Sequence, residues 1–307
     1  MNDPHITILM ATFNGARFLQ AQLDSLLIQT HANWSLVVSD DGSRDGTLDI
    51  LRAFDRAHPA RNLRLLKGPG AGSATQNFMS LLTRHDLSVG WAALADQDDV
   101  WLPQKLARAI AWLGDCSPDL PALYASESII TNASLVPRRQ RPNPRPQPGF
   151  RNALVQNIFA GHSTVLNKAA MGLVRRAGIP GQIAFHDWWL YQLIAGAGGI
   201  CLLDPAQTVL YRQHGSNAFG ASCGVSGAIK RLGHLARNDY GRWLFDHWLA
   251  LNDAAPHLTP EARTLIRDLL APPLAERRAA QFRRLGLYRG TRRGTAALRL
   301  AAHLGRA

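Results

Sequence analysis

Three aspartates fall within four positions at Asp96-Gln97-Asp98-Asp99, where the apolar run Trp91–Ala95 gives way to Val100-Trp101-Leu102-Pro103. Carboxylates at the end of a buried strand are costly unless a cation or hydrogen-bond donors meet them. Asp96 and Asp98, two apart, face the same side of an extended chain and can hold a hard divalent ion, magnesium or manganese, that also takes diphosphate oxygens. The alternative, an acidic helix N-terminus, accounts for one such Asp but not for three. Asp40-Asp41-Gly42-Ser43 ends a second strand-like run in the same way. A carboxylate there can accept the imide N–H of a uracil or thymine ring, or the stretch can be a turn followed by a helix cap. A phosphatase motif would need a nucleophilic Asp at position 39, which is Ser39.

These groups need strand ends to carry them. Ile6–Phe13 reads as a strand, and Leu19, Leu23, Leu26 and Leu27 follow at helical spacing. The unit repeats as strand Trp34–Ser39 with Leu48, Leu51 and Phe54 on a helix face, then strand Leu63–Leu66 with a helix near Thr75–Thr83. Strand Trp91–Ala95 follows, with a helix that has Pro103 in its first turn and runs to Leu113. Four such units predict a doubly wound, mostly parallel α/β sheet with helices on both faces, whose ligands sit at the carboxyl ends of the strands. Further strands are expected at Ala122–Ser126, Ser163–Leu166, Gly199–Leu203 and Thr208–Arg212, helices at Lys168–Ala177 and Asp187–Ala195, and a loop at Pro137–Pro148.

Taken in order, Ala11-Thr12-Phe13-Asn14-Gly15, Asp40-Asp41-Gly42-Ser43 and Asp96-Gln97-Asp98-Asp99 resemble family 2 glycosyltransferases, which have the GT-A fold. The resemblance covers about residues 1–217, and Asp-Gln-Asp-Asp-Val-Trp with the later His186-Asp187-Trp188-Trp189 and Tyr211-Arg212-Gln213-His214-Gly215-Ser216-Asn217 is similar to bacterial rhamnosyltransferase-like members. It implies that Thr12 and Asn14 lie beside the nucleotide, Asp41 at the base, Asp96 at the ribose and Asp98 at the metal. It also implies a catalytic base near the start of a helix about ninety residues after Asp98, a place that Asp187 occupies. An inverting transfer needs such a carboxylate to take the acceptor proton. The same Asp could instead cap its helix. His186 stands where family members often carry Glu, which makes it a rival base or a partner to Asp187. His214 as a further metal ligand and Arg212 as a diphosphate contact are allowed by the resemblance and by their chemistry. Asn77, Gly161 and His162 are lesser candidates. The implied donor is a UDP or dTDP sugar, possibly of rhamnose, and the implied acceptor is a glycan or lipid-linked glycan of bacterial surface polysaccharide synthesis. A nucleotidyltransferase would open with a glycine-rich phosphate loop and a basic residue, which Ala11–Gly15 lacks.

Composition sets the frame. The 307 residues are 46% hydrophobic and 18% charged, which excludes disordered and collagen-like classes. No run reaches the roughly 18 apolar residues of a membrane span, and no signal peptide is evident at the N-terminus, so a cytoplasmic location is expected. Cys116, Cys201 and Cys223 form no CxxC pair and are expected to be reduced. Of the net charge of +12, residues 220–307 contribute +9, from 15 Lys/Arg against 6 Asp/Glu. A catalytic domain at 1–219 and a basic helical extension at 220–307 are therefore expected, the latter resting on the anionic inner face of the membrane. A nucleic-acid-binding protein would explain that extension but not three Asp clusters at strand ends, so no nucleic acid partner is expected.

Overall fold

The computed structural model describes residues 4–88, 90–139, 147–215, 239–272 and 278–307. In chain order the elements are β1 (Ile6–Thr12), α1 (Ala16–Leu27), β2 (Trp34–Asp40), α2 (Thr47–Ala57), β3 (Arg64–Lys67), α3 (Ala74–Leu82), β4 (Trp91–Asp96), β5 (Val100–Trp101) and α4 (Lys105–Gly114). Then come β6 (Ala122–Thr131), α5 (Phe150–Ala153), β7 (Val165–Leu166), α6 (Lys168–Ala177), α7 (His186–Gly196) and β8 (Ile200–Arg212). Among the described residues four further helices follow: α8 (Asp239–Asp253), α9 (Pro260–Leu270), α10 (Arg278–Arg284) and α11 (Arg292–His303). They form two compact units. The first is Met1–Gln140, Phe159–Ile179 and Gly199–Ser216; the second is Arg141–Ile158, Pro180–Gly198 and Asn217–Ala307. The chain cut expected at 219–220 lies outside the described residues, and two stretches before it group with the C-terminal helices.

The first unit is built on an eight-stranded sheet in the order β3-β2-β1-β4-β7-β6-β8-β5. β1 pairs in parallel with β2 and β4, and β2 with β3, so Thr12, Asp40 and Asp96 all end at the same edge of the sheet. Every residue of β1 is buried, as expected for a parallel strand covered on both faces. Ile6, Ile8 and Met10 pack with Leu19, Leu23 and Leu26 of α1 in one continuous core. Two strands run against the rest: β7 is antiparallel to both β4 and β6, and β5 to β8. The stretches expected as separate strands at Gly199–Leu203 and Thr208–Arg212 are one strand, β8, parallel to β6 with irregular register opposite Ser126–Ser128. Pro205 lies there, and having no N–H it cannot extend a regular ladder. The helix expected from Pro103 begins at Lys105 instead, because the Pro103 carbonyl is taken by the N–H of Thr30 at 2.9 Å.

In the second unit, short α5 and the residues after it are received by side chains from neighbouring helices. The Ala153 carbonyl accepts from Trp188 Nε1 (2.6 Å) and Gln192 Nε2 (3.1 Å), that of Leu154 from Trp248 Nε1 (3.0 Å), and that of Val155 from the Tyr240 hydroxyl (2.7 Å). Asn152 Nδ2 donates to the Tyr288 carbonyl. His247 is wholly buried between them: its Nε2 accepts from the Ala184 N–H at 3.1 Å, so Nδ1 carries the proton toward Gln192 Oε1 at 2.7 Å. Burial holds its pKa down at about 3. Among the described residues no helix is long and apolar enough to cross a membrane.

Candidate active site

At the carboxyl edge of β1 the chain turns through Asn14, whose φ of 48° lies in the left-handed region that Asn tolerates best among residues with a side chain. Its backbone N–H donates to Ser43 Oγ (2.8 Å) and its Oδ1 accepts from the Arg44 N–H (2.8 Å), so it joins the first motif to the second. Buried Thr12 does the same, donating to Asp40 Oδ1 at 3.0 Å. Asp40 also accepts from the N–H groups of Gly42 and Ser43 and from Ser43 Oγ, and so it shapes the turn. Asp41 points elsewhere. Its two oxygens accept from the N–H groups of Gly70 (2.6 Å) and Gly72 (2.8 Å), both at positive φ, in the loop after β3. A Cβ on Gly68 would stand 2.9 Å from Asp41 Oδ1 and from the Asp40 carbonyl. The glycines at 68, 70 and 72, legible in the sequence only as a break between elements, are the seat of the Asp41 carboxylate.

The acidic loop is tied to the first motif by Gln97. Its amide pairs with the Phe13 backbone in both directions: Oε1 accepts from the N–H at 2.9 Å and Nε2 donates to the carbonyl at 3.0 Å. Asp98 Oδ2 and His214 Nε2 meet at 2.7 Å, both side chains only slightly exposed, and the His214 ring packs 4.7 Å from that of Phe18. Arg212 fixes this loop from behind: its N–H donates to Asp99 Oδ1 (3.0 Å), Nε to the Asp98 carbonyl (2.7 Å) and Nη1 to the Ala133 carbonyl (2.5 Å). Its guanidinium lies over Phe18, 4.4 Å from the ring centroid, and the residue is 4% exposed. Two of its guanidinium nitrogens are thus held by the protein's own carbonyls.

Asp99 is fully buried and its Oδ2 has no hydrogen-bond partner among the described residues. Burial, together with the charges of Asp96 and Asp98, pushes its carboxyl well above the ordinary carboxylate range. Two other groups share the region, one buried and one half-buried. Lys105 Nζ sits 3.7 Å from the Trp101 ring centroid, its pKa brought down to about 7 by burial. His162 stacks on Tyr211 and shares a 2.7 Å hydrogen bond with Ser128, its pKa lowered to about 3 by burial and by Lys105. One ligand atom from each of Asp96, Asp99 and His162 lies within 4.8 Å of the others. Two donor sets thus adjoin one loop. Like charges crowded at Asp96, Asp98 and Asp99 suit a divalent cation, which would relieve their repulsion. The Asp98–His214 pair is the second set, an oxygen and a nitrogen on side chains that are both slightly exposed.

Asp187 and His186 open α7 in the second unit. The helix begins at His186 after Phe185, so Asp187 is not its N-cap; it lies in the first turn and its Oδ1 accepts from the Trp188 N–H at 2.7 Å. Burial lowers the pKa of His186, with Asp187 opposing the shift. Of the lesser candidates, Asn77 is buried with Nδ2 on the Ser39 carbonyl, and Gly161-His162-Ser163 is a single helical turn before β7.

Residues 7–170 match the family described as Glycosyl transferase family 2. The chain is 30% identical over 244 residues to dTDP-rhamnosyl transferase RfbG of Shigella flexneri, covering 76% of this chain and 81% of that protein. It is 28% identical over 169 residues to UDP-Glc:alpha-D-GlcNAc-diphosphoundecaprenol beta-1,3-glucosyltransferase WfgD of Escherichia coli, over 54% of this chain and 61% of that one. In fold it is similar to the mannosyltransferase PcManGT from Pyrobaculum calidifontis, solved with GDP-Man and Mn2+ (TM-score 0.53, 20% identity, 99% of this chain and 87% of that chain). It is likewise similar to S. aureus TarS 1-349 in complex with UDP (TM-score 0.57, 14% identity, 99% and 89%).

Proposed function

The chain belongs to glycosyl transferase family 2 and is a glycosyltransferase of GT-A fold, and from that premise we propose that it moves rhamnose from a dTDP donor onto a hydroxyl of a lipid-linked glycan, with inversion and with a divalent metal. The observation that carries the metal-site reading is the meeting of Asp98 Oδ2 with His214 Nε2 at 2.7 Å beside the loop that Gln97 ties to β1. The dTDP donor is supported by the RfbG likeness, and the lipid-linked acceptor by the WfgD likeness and by the basic C-terminal stretch, which suits the cytoplasmic face of a membrane.

In this reading Asp98 and His214 hold magnesium or manganese. When bound, the ion neutralises the charge that builds on the departing diphosphate. The protein's own groups do the rest. Thr12, Asn14 and Asp40 fix the turn beside the nucleotide. Asp41 holds the 70–72 loop through two charge-assisted hydrogen bonds and presents the base with its remaining acceptor capacity, and Asp96 takes the ribose. Arg212 holds the acidic loop in register through backbone carbonyls. Asp187, with one oxygen already oriented by the Trp188 N–H, takes the acceptor proton as the new C1–O bond forms and the C1–O bond to phosphate breaks.

A panel of dTDP-rhamnose, UDP-glucose and GDP-mannose, each with magnesium, manganese or chelator, tests the reading by nucleoside diphosphate release. The pyrimidine donors should turn over, dTDP-rhamnose fastest, and only with metal. Preference for GDP-mannose would overturn the base assignment, and full turnover in chelator the metal assignment.

A further inference from the structure

A cleft of about 480 Å³ in the second unit is lined by Tyr288, Arg289, Thr291, Arg292, Thr295 and Arg299. Three of these are arginines, and among the described residues none of the three is paired with a carboxylate. Arg289 is bonded to the Tyr240 hydroxyl at 3.2 Å, while Arg299 Nε is buried with no partner among the described residues. The cleft also lies at the start of α11, which Thr291 caps by accepting from the Gly294 N–H at 2.9 Å, leaving the N–H groups of the turn's opening residues directed out of the helix end. Arg292, Thr295 and Arg299 are one, four and eight positions into α11 and share a helix face. The neighbouring stripe holds Leu300 and Leu304, which are 60% and 61% exposed, whereas Leu298, Ala301 and Ala302 on the opposite side are buried. Guanidinium groups that no carboxylate neutralises, one of them in the first turn of a helix, recognise phosphate, and exposed leucines beside them suit acyl chains.

We propose that this cleft seats the phosphate of an anionic membrane lipid, with α11 lying in the plane of the bilayer surface and Leu300 and Leu304 entering its apolar edge. The inference deepens the membrane contact proposed above and rests on it. It gives the basic stretch a site rather than a diffuse charge, and it uses residues that have no part in the donor chemistry.

The full chain is tested by co-sedimentation with vesicles of phosphatidylcholine, alone or mixed with phosphatidylglycerol. Binding is expected only to the mixed vesicles, weakened roughly 30-fold in Arg292→Gln/Arg299→Gln and weakened in Leu300→Ser/Leu304→Ser. The control Arg263→Gln/Arg267→Gln removes the same charge from exposed positions on α9 and should change binding only a few-fold. Arg292→Lys/Arg299→Lys, which keeps the charge, should bind well and shows that the cleft still folds. Equal losses in the cleft and control pairs would overturn the site, as would wild-type binding by the leucine variant, or tighter binding of a short DNA duplex than of vesicles. If wild type ignores phosphatidylglycerol, the membrane reading fails too; if wild type binds and the cleft variant binds equally, only the cleft fails.

Discussion

The contact between Gln97 and the Phe13 backbone makes a double-mutant cycle with a calculable outcome. Gly15 has φ −96° and ψ 1°, values any residue adopts, so alanine there suffers little backbone strain. What it meets is Gln97: a Cβ on Gly15 would stand 2.2 Å from Oε1, and the flexible side chain must swing away. Leaving its place, Gln97 gives up hydrogen bonds of 2.9 and 3.0 Å, each worth about 0.5–1 kcal/mol at a solvent-accessible site, so Gly15→Ala should cost about 1–2 kcal/mol. Two smaller effects oppose one another: alanine is the poorer N-cap, and it restricts the unfolded chain. Gln97→Ala removes the same pair of bonds and should cost the same. In the double variant nothing remains to collide with, so the total should again be about 1–2 kcal/mol rather than about 2–4. Urea unfolding of all four proteins measures the cycle, and dTDP affinity by calorimetry reports whether the two loops move apart at the nucleotide. Additive losses in the two single variants would refute the reasoning, because Gly15 would then be small for a reason unrelated to Gln97.

Asp98→Ala should lower turnover on the order of 10³-fold, and His214→Ala should weaken manganese binding roughly tenfold or more; calorimetric titration with unchanged manganese affinity in both variants would exclude the pair as ligands. Asp187→Asn should reduce kcat by about 10²–10⁴-fold with donor KM unchanged, and wild-type turnover would remove it as the base; a mild Asp187→Asn beside a severe His186→Ala would assign the base to the imidazole. His247 is neutral in the fold down to about pH 3, whereas in the unfolded chain it binds a proton below about 6.5. Its contribution is therefore complete above pH 6.5 and declines as pH falls from there toward 3, by up to about 1.4 kcal/mol per unit, since protonated Nε2 can no longer accept from the Ala184 N–H. His247→Gln should flatten that part of the pH–stability curve; an unchanged slope would place the acid sensitivity elsewhere.

The four opening strand–helix units were legible because their signals are local. Leu19, Leu23 and Leu26 of the α1 stripe are buried and Leu27 is half-buried, and Lys168–Ala177 is the helix expected, capped by Asn167 accepting from the Ala170 N–H. Pieces that depend on distant partners were not. β5 is two residues long and exists through pairing with Val209 and Leu210, more than a hundred positions later. At the site the same division holds. Asp41 stood out as a carboxylate at a strand end, but Gly70 and Gly72 supply its partners, and a loop composition does not announce which N–H groups it will offer. Arg212 has the chemistry of a phosphate contact, yet the Asp98 and Ala133 carbonyls hold it. The burial of Lys105 is not legible in the sequence, because lysines at helix starts are usually solvated.

The way α5 is held bears on how the protein is made. Ala153, Leu154 and Val155 emerge from the ribosome midway through synthesis, but the Trp248 and Tyr240 side chains that receive two of their carbonyls come nearly a hundred residues later, and Tyr288 later still. The sheet has no such wait, since β8 closes it at Arg212. Translation therefore delivers the complete sheet first, while the helix bearing Asp187 stays without its full support until the last helices appear. The C-terminal stretch cannot be trimmed as an appendage: a chain ending at 219 would leave the Leu154 and Val155 carbonyls without their donors and α7 without the imidazole that joins Ala184 to Gln192.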